Sequence, residues 1–150
     1  MSMPPTNPTY SRRTLVALME DKPGVLSHVS NLFRRRNYNI ESLTVGHSET
    51  PGISRMTVVV LANDAMLEQV AKQLYKLINV TKVTEVYEDD AVIRELALIK
   101  VHAPSEKRAE IKQVADIFRA QIIDVALDSM VIEITGDESK VESLIGILKP

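Results

Sequence analysis

The turn that follows the first apolar run of the sequence carries the residues best suited to binding a small ligand. A helix starting here leaves several backbone amides without an intrahelical acceptor, and together with the helix dipole these amides favour a carboxylate. Gly24 has no Cβ to keep a ligand away from the backbone. Val25, Leu26 and Ile40 could supply an apolar wall, and Asn39 offers a donor and an acceptor. The residues of this turn are Asp21, Lys22, Pro23, Gly24, Val25 and Leu26.

This set suits a small apolar α-amino acid, which needs an anion cradle, an acceptor for its ammonium group and a dry pocket. The pattern Asp-x-Pro-Gly is also common as a purely structural helix start, so the residues alone leave both interpretations open.

The rest of the sequence offers few residues for catalysis. It has no cysteine, which excludes thiolate chemistry and Cys-ligated metals. His28, His47 and His102 are far apart and match no metal-binding motif. The acidic pairs Asp89-Asp90 and Asp137-Glu138 fit a solvated linker and the first turn of a helix. No glycine-rich phosphate loop or glycine-flanked serine occurs, so we predict neither a catalytic residue nor a metal site.

Three adjacent arginines, Arg34, Arg35 and Arg36, follow the first amphipathic segment. They could grip a phosphate group or an acidic partner. A solvated C-terminal turn, where cations complement the helix dipole, is the simpler explanation.

The composition is that of an ordinary globular protein. The chain has 150 residues, of which 45% are apolar and 25% charged, with a formal charge of −2. A near-neutral chain lacks the electrostatic footprint of nonspecific nucleic-acid or membrane binding. No apolar run approaches the roughly 18 residues of a membrane span, and the start lacks the apolar core of a secretory signal. We therefore predict a cytoplasmic protein, or a plastid or mitochondrial one in a eukaryote, although no transit peptide is evident.

Apolar periodicity predicts a βαββαβ unit over residues 12–88, preceded by a proline-rich tail at 1–11. We expect Asp21 to cap the first helix and Pro23 to lie in its first turn. The expected elements are a strand at 13–20, a helix with an apolar face from Val25 to Phe33, strands at 39–47 and 54–62, a helix capped by Asn63 or Asp64 and extending to Leu77, and a strand at 80–88.

The pattern restarts after an acidic break and predicts a βαββα unit over residues 89–150. The expected elements are a strand at 92–102, a helix opened by Pro104 and Ser105, strands at 121–127 and 130–136 joined by a turn at Asp128-Ser129, and a helix after Asp137. We predict an α+β protein of two ferredoxin-like units, each an antiparallel sheet with helices on one face. The second unit lacks a final strand, which implies truncation or an edge completed by another chain.

Several strands are apolar on both faces. In the strand at 54–62, Met56, Val58 and Val60 point one way, and Val59 and Leu61 the other. A sheet covered on one face alone should alternate apolar and polar residues. The excess predicts a homodimer, although the second unit could instead cover the first. An RNA-recognition fold shares the strand order but needs aromatic residues on these central strands.

Residues 15–46 resemble the ACT domain of the small regulatory subunit of acetohydroxyacid synthase, also called acetolactate synthase. DKPGVL at 21–26 resembles ACT domains in general. The segments that point to this subunit are NYNIESLTVG at 37–46, SRMT at 54–57, LEQVAKQLYKLINV at 67–80, RELALIKV at 94–101 and FRAQIIDV at 118–125. The resemblance extends from about Arg12 to Pro150.

The resemblance implies a subunit that is not itself catalytic. It would bind a catalytic subunit that carries thiamine diphosphate, Mg²⁺ and FAD and condenses two 2-oxo acids at the start of valine, leucine and isoleucine synthesis. It would raise the activity of that transferase and confer feedback inhibition, typically by valine. In the family two ACT domains pair edge to edge, with valine between residues 21–26 of one chain and Asn39 and Ile40 of its partner.

Two departures from the family pattern bear on this implication. The family's turn often has Asn where this chain has Asp21, and its second domain usually continues past Pro150. A free-standing amino-acid-binding ACT module that regulates another enzyme is the alternative. An acylphosphatase-type enzyme has the same fold but needs an arginine in the loop after the first strand, where this chain has Lys22.

Overall fold

The computed structural model describes residues 9–149, so most of the predicted tail at 1–11 lies outside the described residues. The chain divides into two compact units between Ala91 and Val92.

The first unit is a four-stranded antiparallel sheet with two helices, as predicted. Its strand order is β2-β3-β1-β4, so β2 and β4 form the edges. This α+β arrangement confirms the ferredoxin-like prediction. The elements are β1 (Ser11–Glu20), α1 (Val25–Arg35), β2 (Ile40–His47), β3 (Ile53–Ala62), α2 (Asp64–Tyr75) and β4 (Val80–Val86).

Alternation along the two central strands creates the core of this unit. Leu15 in β1 lies opposite Val58 in β3, and both are buried. The helices add apolar residues at helical spacing to the same face, including Val29 and Phe33 of α1 and Val70 of α2. The period of two in the strands and the period near 3.6 in the helices therefore point to one shared core.

The start of α1 differs from the prediction. The helix begins at Val25 with Gly24 as its N-cap residue, and no side chain caps it. Pro23 therefore precedes the helix, and the predictions that Asp21 caps it and that Pro23 lies in its first turn are wrong. The reason is the backbone of Gly24, whose φ of 84° lies in the left-handed region that glycine alone adopts without strain.

The start of α2 follows the prediction more closely. The Asn63 side chain accepts a hydrogen bond from the amide of Met66 at 2.9 Å, which identifies Asn63 as the cap. The helix ends at Tyr75, so Leu77 lies beyond its end, although it still packs on the core.

The second unit has three antiparallel strands in the order β5-β7-β6 and two helices, the predicted βαββα arrangement. A short 3₁₀ turn at Ser105–Lys107 precedes its first helix, and Asp137 caps its second helix through the amide of Lys140. The elements are β5 (Glu95–His102), α3 (Arg108–Ile117), β6 (Gln121–Val125), β7 (Ser129–Gly136) and α4 (Glu138–Leu148).

The face of the first sheet opposite its helices is partly apolar, as the sequence indicated. Val16, Leu18 and Val59 are half-buried there, and Leu61 is 45% exposed. On the helix-covered face, Leu43 and Val45 at the β2 edge are also partly exposed.

Candidate functional site

The first turn of α1 has backbone amides that donate no hydrogen bond to any described residue. The Gly24, Leu26 and Ser27 amides have no hydrogen-bond acceptor there, and the Val25 amide makes a long 3.4 Å contact to the Lys22 carbonyl. The helical ladder starts with the His28 amide, which donates to the Gly24 carbonyl at 3.1 Å. Free amides at the positive end of a helix dipole form an anion-binding site.

Gly24 keeps this site accessible. A Cβ built at Gly24 would meet no atom within 4 Å, apart from its chain neighbours. The absence of a side chain therefore leaves open space beside the amides, and a ligand can approach the backbone closely. The same residue shapes the turn through its positive φ, so its conformation and its small size both serve the site.

The charged residues at the turn are paired within the chain. Lys22 Nζ lies 2.6 Å from Glu20 Oε2, and Asn79 Nδ2 donates to the same oxygen at 3.3 Å. The hydrogen bond from Lys22, reinforced by the one from Asn79, holds the pKa of Glu20 below its usual range. Because Lys22 already has an anionic partner, any attraction of this turn for a carboxylate would come from the backbone amides of α1.

Two of the predicted wall residues have different environments. Val25 is only 5% exposed and belongs to the core, whereas Leu26 is 43% exposed beside the open amides. Leu26 can therefore contact a ligand, and Val25 positions the helix beneath it.

Asn39 and Ile40 lie at the other end of the sheet from this turn. Ile40 pairs with Val60, whereas the far end of β2, His47, pairs with Ser54 near the turn. Seven residues of strand separate Ile40 from His47, which corresponds to about 23 Å. Within one chain, Asn39 and Ile40 therefore lie far from the α1 amides. The prediction from sequence that Ile40 forms a wall near these amides is wrong for a single chain.

Asn39 is exposed, and its Nδ2 donates to Glu41 Oε1 at 3.2 Å. Its side-chain oxygen has no donor among the residues described, so it can accept from an ammonium group. Ile40 is half-buried and packs against the edge of the first core. Both residues can thus complete a ligand site only at the turn of a second chain.

The structure also contains an ion-pair cluster that the sequence analysis missed. Arg13 Nη1 lies 2.7 Å from Asp64 Oδ1, and the Arg13 guanidinium also donates to Glu85. Tyr87 donates to the second Glu85 oxygen at 2.7 Å, and this bond raises the pKa of Tyr87. Arg13 is 51 positions from Asp64 and 72 positions from Glu85, so no local pattern could reveal the cluster.

Other candidate residues have structural surroundings. Asp137 caps α4, and His28 and His102 are exposed on separate units. Within residues 9–149, no group of three His, Asp or Glu side chains is arranged to hold a metal ion. In the same part of the chain, no helix combines the length and hydropathy needed to cross a membrane.

A βαββαβ unit whose first turn leaves helix amides open, followed by a second ferredoxin-like unit, defines an ACT-type protein. The family described as "AHAS small subunit-like ACT domain" matches residues 15–82, and the family described as "Small subunit of acetolactate synthase" matches residues 94–150. The chain therefore belongs to the acetolactate synthase small-subunit family.

Individual relatives agree with this assignment. The chain is 55% identical over 138 residues to a probable acetolactate synthase small subunit of Archaeoglobus fulgidus, covering 92% of this chain and 86% of the relative. It is 53% identical over 137 residues to the acetolactate synthase small subunit of Mycolicibacterium smegmatis, covering 91% and 81%. The crystal structure of the Thermotoga maritima small subunit matches with a TM-score of 0.88 at 48% identity, covering 93% of this chain and 87% of that one.

Proposed function

We propose that this chain is a regulatory subunit of acetolactate synthase. In this proposal it binds the catalytic subunit in the cytoplasm, raises its activity and makes it sensitive to valine or another branched-chain amino acid. Catalysis, thiamine diphosphate, Mg²⁺ and FAD belong to the catalytic subunit. Family membership supports the regulatory role.

The open amides at the start of α1 are the observation that carries the sensing role. The amides of Gly24, Leu26 and Ser27 would donate hydrogen bonds to the effector's carboxylate, and the exposed Leu26 side chain would contact its apolar group. The effector's ammonium group needs an acceptor, which the Asn39 side-chain oxygen of a second chain can supply.

The edge of β2 suggests how that second chain associates. Among residues 9–149, β3 is the one strand that pairs with β2, so the other edge of β2 has no strand partner in that part of the chain. Leu43 and Val45 lie opposite buried residues of β3, on the helix-covered face, yet they are 38% and 40% exposed. A second copy that aligns its β2 antiparallel to the first would cover this apolar edge.

The same antiparallel alignment would complete the ligand site. It reverses the direction of β2 in the partner, so the partner's Asn39 end approaches the turn that one chain alone leaves about 23 Å away. A symmetric homodimer would thus contain two equivalent effector sites. Feedback then requires the effector to favour one arrangement of the dimer, with a coupling free energy of about 1–3 kcal/mol.

The decisive test replaces Gly24 with Asp. The substitution fills the open space and places an anion where the effector carboxylate would bind, so we expect valine inhibition of the reconstituted enzyme to be lost and binding of the catalytic subunit to be kept. Gly146→Asp on α4, a site equally free of neighbours, is the matched control and should remain valine-sensitive. A valine-sensitive Gly24→Asp subunit would refute the proposed site.

A neutral substitution at the same position, Gly24→Asn, separates the effect of the added charge from the effect of backbone strain. Asn tolerates the left-handed conformation better than other residues with a side chain. Gly24→Asn should therefore weaken valine binding less than Gly24→Asp, as measured by calorimetric titration.

If the wild-type chain binds valine but does not capture the thiamine-dependent synthase, it is a free-standing ACT module and the subunit assignment fails.

A further inference from the structure

A groove lies between α1 and α2, near the end of each helix. It has a volume of about 300 Å³. Its lining consists of His28, Asn31, Leu32, Arg35, Arg36, Gln73, Lys76 and Leu77. Three of these residues, Arg35, Arg36 and Lys76, carry cationic side chains, and none is acidic.

The cations of this groove have no anionic partner within residues 9–149. Among the described residues, no carboxylate pairs with Arg35, Arg36 or Lys76, whereas Arg13, Arg55, Lys72 and Lys112 elsewhere in the chain each have one. The groove thus gathers three unmatched cations on one surface of a chain whose formal charge is −2.

One contact bridges the two walls of the groove. Arg36 Nη2 donates to Gln73 Oε1 at 2.9 Å, from just beyond the end of α1 to α2. This bond orients the guanidinium without neutralising it, because the glutamine amide carries no charge. The groove is thus partly preorganised for an anionic partner.

Helix dipoles account for only part of this charge. Both α1 and α2 end beside the groove, at Arg35 and Tyr75, and each helix C-terminus carries about −0.5 of an elementary charge. The two helix ends together carry about −1 elementary charge, whereas the three side chains carry three positive charges. About two positive charges therefore remain uncompensated by the helix dipoles.

We propose that this groove docks an acidic segment of the catalytic subunit, with an apolar side chain of that segment between Leu32 and Leu77. The inference rests on the proposed function, since it identifies the surface through which the subunit meets its partner. Charge complementarity favours an acidic segment, and the two leucines favour a peptide that is not purely charged.

The geometry disfavours a phosphate group as the occupant. Phosphate sites typically use helix N-termini or successive free backbone amides. Here both helices present their C-terminal ends, and the carbonyl groups at these ends repel the concentrated negative charge of a phosphate group. Carboxylates spread along a peptide can meet the three cations separately and avoid those carbonyls.

The groove and the effector turn lie on the same helix. The groove begins at His28, four residues from Gly24, whereas Arg35 is eleven residues from Gly24, which corresponds to about 16 Å along α1. A substitution at Arg35 therefore lies away from the open amides and leaves them intact.

The test reverses two groove charges in Arg35→Glu/Lys76→Glu and measures binding to the catalytic subunit of the same organism by calorimetry. We expect roughly 100-fold weaker binding, with the wild-type affinity falling steeply as salt is raised. The matched control is Arg34→Glu/Lys82→Glu. It makes the same charge change at exposed residues outside the groove, and one of them is also in the last turn of α1. This control should bind within about twofold of wild type.

Valine titration of each isolated variant checks that the first unit is folded. The milder pair Arg35→Gln/Lys76→Gln, which removes charge without adding acid near the helix ends, should bind at an intermediate affinity. Equal loss in the groove and control variants, or no loss in either, would overturn the inference. If inorganic pyrophosphate binds the groove and the charge-reversed pair still captures the catalytic subunit normally, the occupant is a phosphate compound and the inference fails.

A photo-crosslinking experiment identifies the docked segment. A benzoylphenylalanine introduced at Asn31, which lines the groove, should crosslink to an Asp- or Glu-rich peptide of the catalytic subunit, and one introduced at Lys82 should not. Wild-type protein that fails to bind the catalytic subunit would refute both the proposed function and this inference. Wild-type binding with crosslinks only to neutral or basic peptides would refute the groove alone.

Discussion

His47 Nδ1 lies 2.9 Å from Asp21 Oδ2, so the last residue of β2 contacts the turn that leads into α1. The Asp21 amide also donates to the Gly52 carbonyl at 2.9 Å, which connects the same turn to the loop between β2 and β3. Two neighbouring segments therefore hold Asp21 in place. Its carboxylate is directed to His47 and leaves the amides of α1 free.

The first prediction concerns the charge of Asp21. We expect Asp21→Asn to raise valine affinity roughly two- to fivefold, because a nearby carboxylate repels the effector's own carboxylate across a partly exposed site. The Asn oxygen can still accept from His47. Calorimetric titration of the protein with valine measures the change in affinity, which should shrink at high salt.

His47→Gln provides the complementary test of that charge. It leaves Asp21 without its imidazole partner, so valine should bind no more tightly than to wild type. Weaker valine binding to Asp21→Asn would mean that Asp21 contacts the effector's ammonium group instead.

The second prediction concerns the backbone of Gly24. Gly24→Ala should lower the free energy of unfolding by about 1–2 kcal/mol, because a residue with a Cβ is strained at a φ of 84° although the space beside it is open. Gly46→Ala on β2 is the matched control, since it also has open space but no positive φ. It should be neutral or stabilise the protein by up to about 1 kcal/mol. Equal urea midpoints for the two variants would contradict the argument.

The sequence was sufficient for the fold because each element repeats a simple pattern. Alternation in β1 and β3 and helical spacing in α1 both have to bury one face, and those faces meet in one core. The start of α1 was less predictable, because a proline at 23 is compatible with a first turn or with the residue before a glycine cap. Only the backbone of Gly24 distinguishes the two.

The candidate site was predicted in part for a related reason. The free amides follow from a local sequence, residues 21–26, whereas the distance of Ile40 from them depends on the direction of β2. The groove shows the same limit: Arg34–Arg36 were evident as a charged run, but Lys76 joins them only through the packing of α1 against α2. Long-range pairing decides which side chains share a surface.

The third prediction concerns Arg13, whose side chain is only 15% exposed. Arg13→Met should lower the free energy of unfolding by about 2 kcal/mol, because it leaves Asp64 and Glu85 without their guanidinium donor in a partly buried position. Arg55→Met is the control. Its contact with Glu49 is 3.2 Å long and exposed, so its loss should cost less than about 0.5 kcal/mol. Similar losses in urea denaturation would mean that the Arg13 cluster adds nothing beyond a surface ion pair.

The fourth prediction concerns the cap of α4. The Asp137 carboxylate accepts from the Lys140 amide at 2.8 Å and from the Ser139 hydroxyl at 2.9 Å. These bonds, the backbone bond above all, hold the pKa of Asp137 below its usual range. The folded state thus binds this proton less readily than the unfolded state does. The cap's contribution is complete above the unfolded pKa and is lost as the pH falls through the folded one.

Asp137→Asn isolates this titration, because it keeps an acceptor for the Lys140 amide and removes the ionisable group. The difference in unfolding free energy between wild type and variant should be largest near pH 6 and decline below about pH 4. The other carboxylates are the same in both proteins, so their titration cancels in the difference. Urea denaturation at a series of pH values measures it, and a difference that stays constant or grows on acidification would show that the cap does not depend on the charge of Asp137.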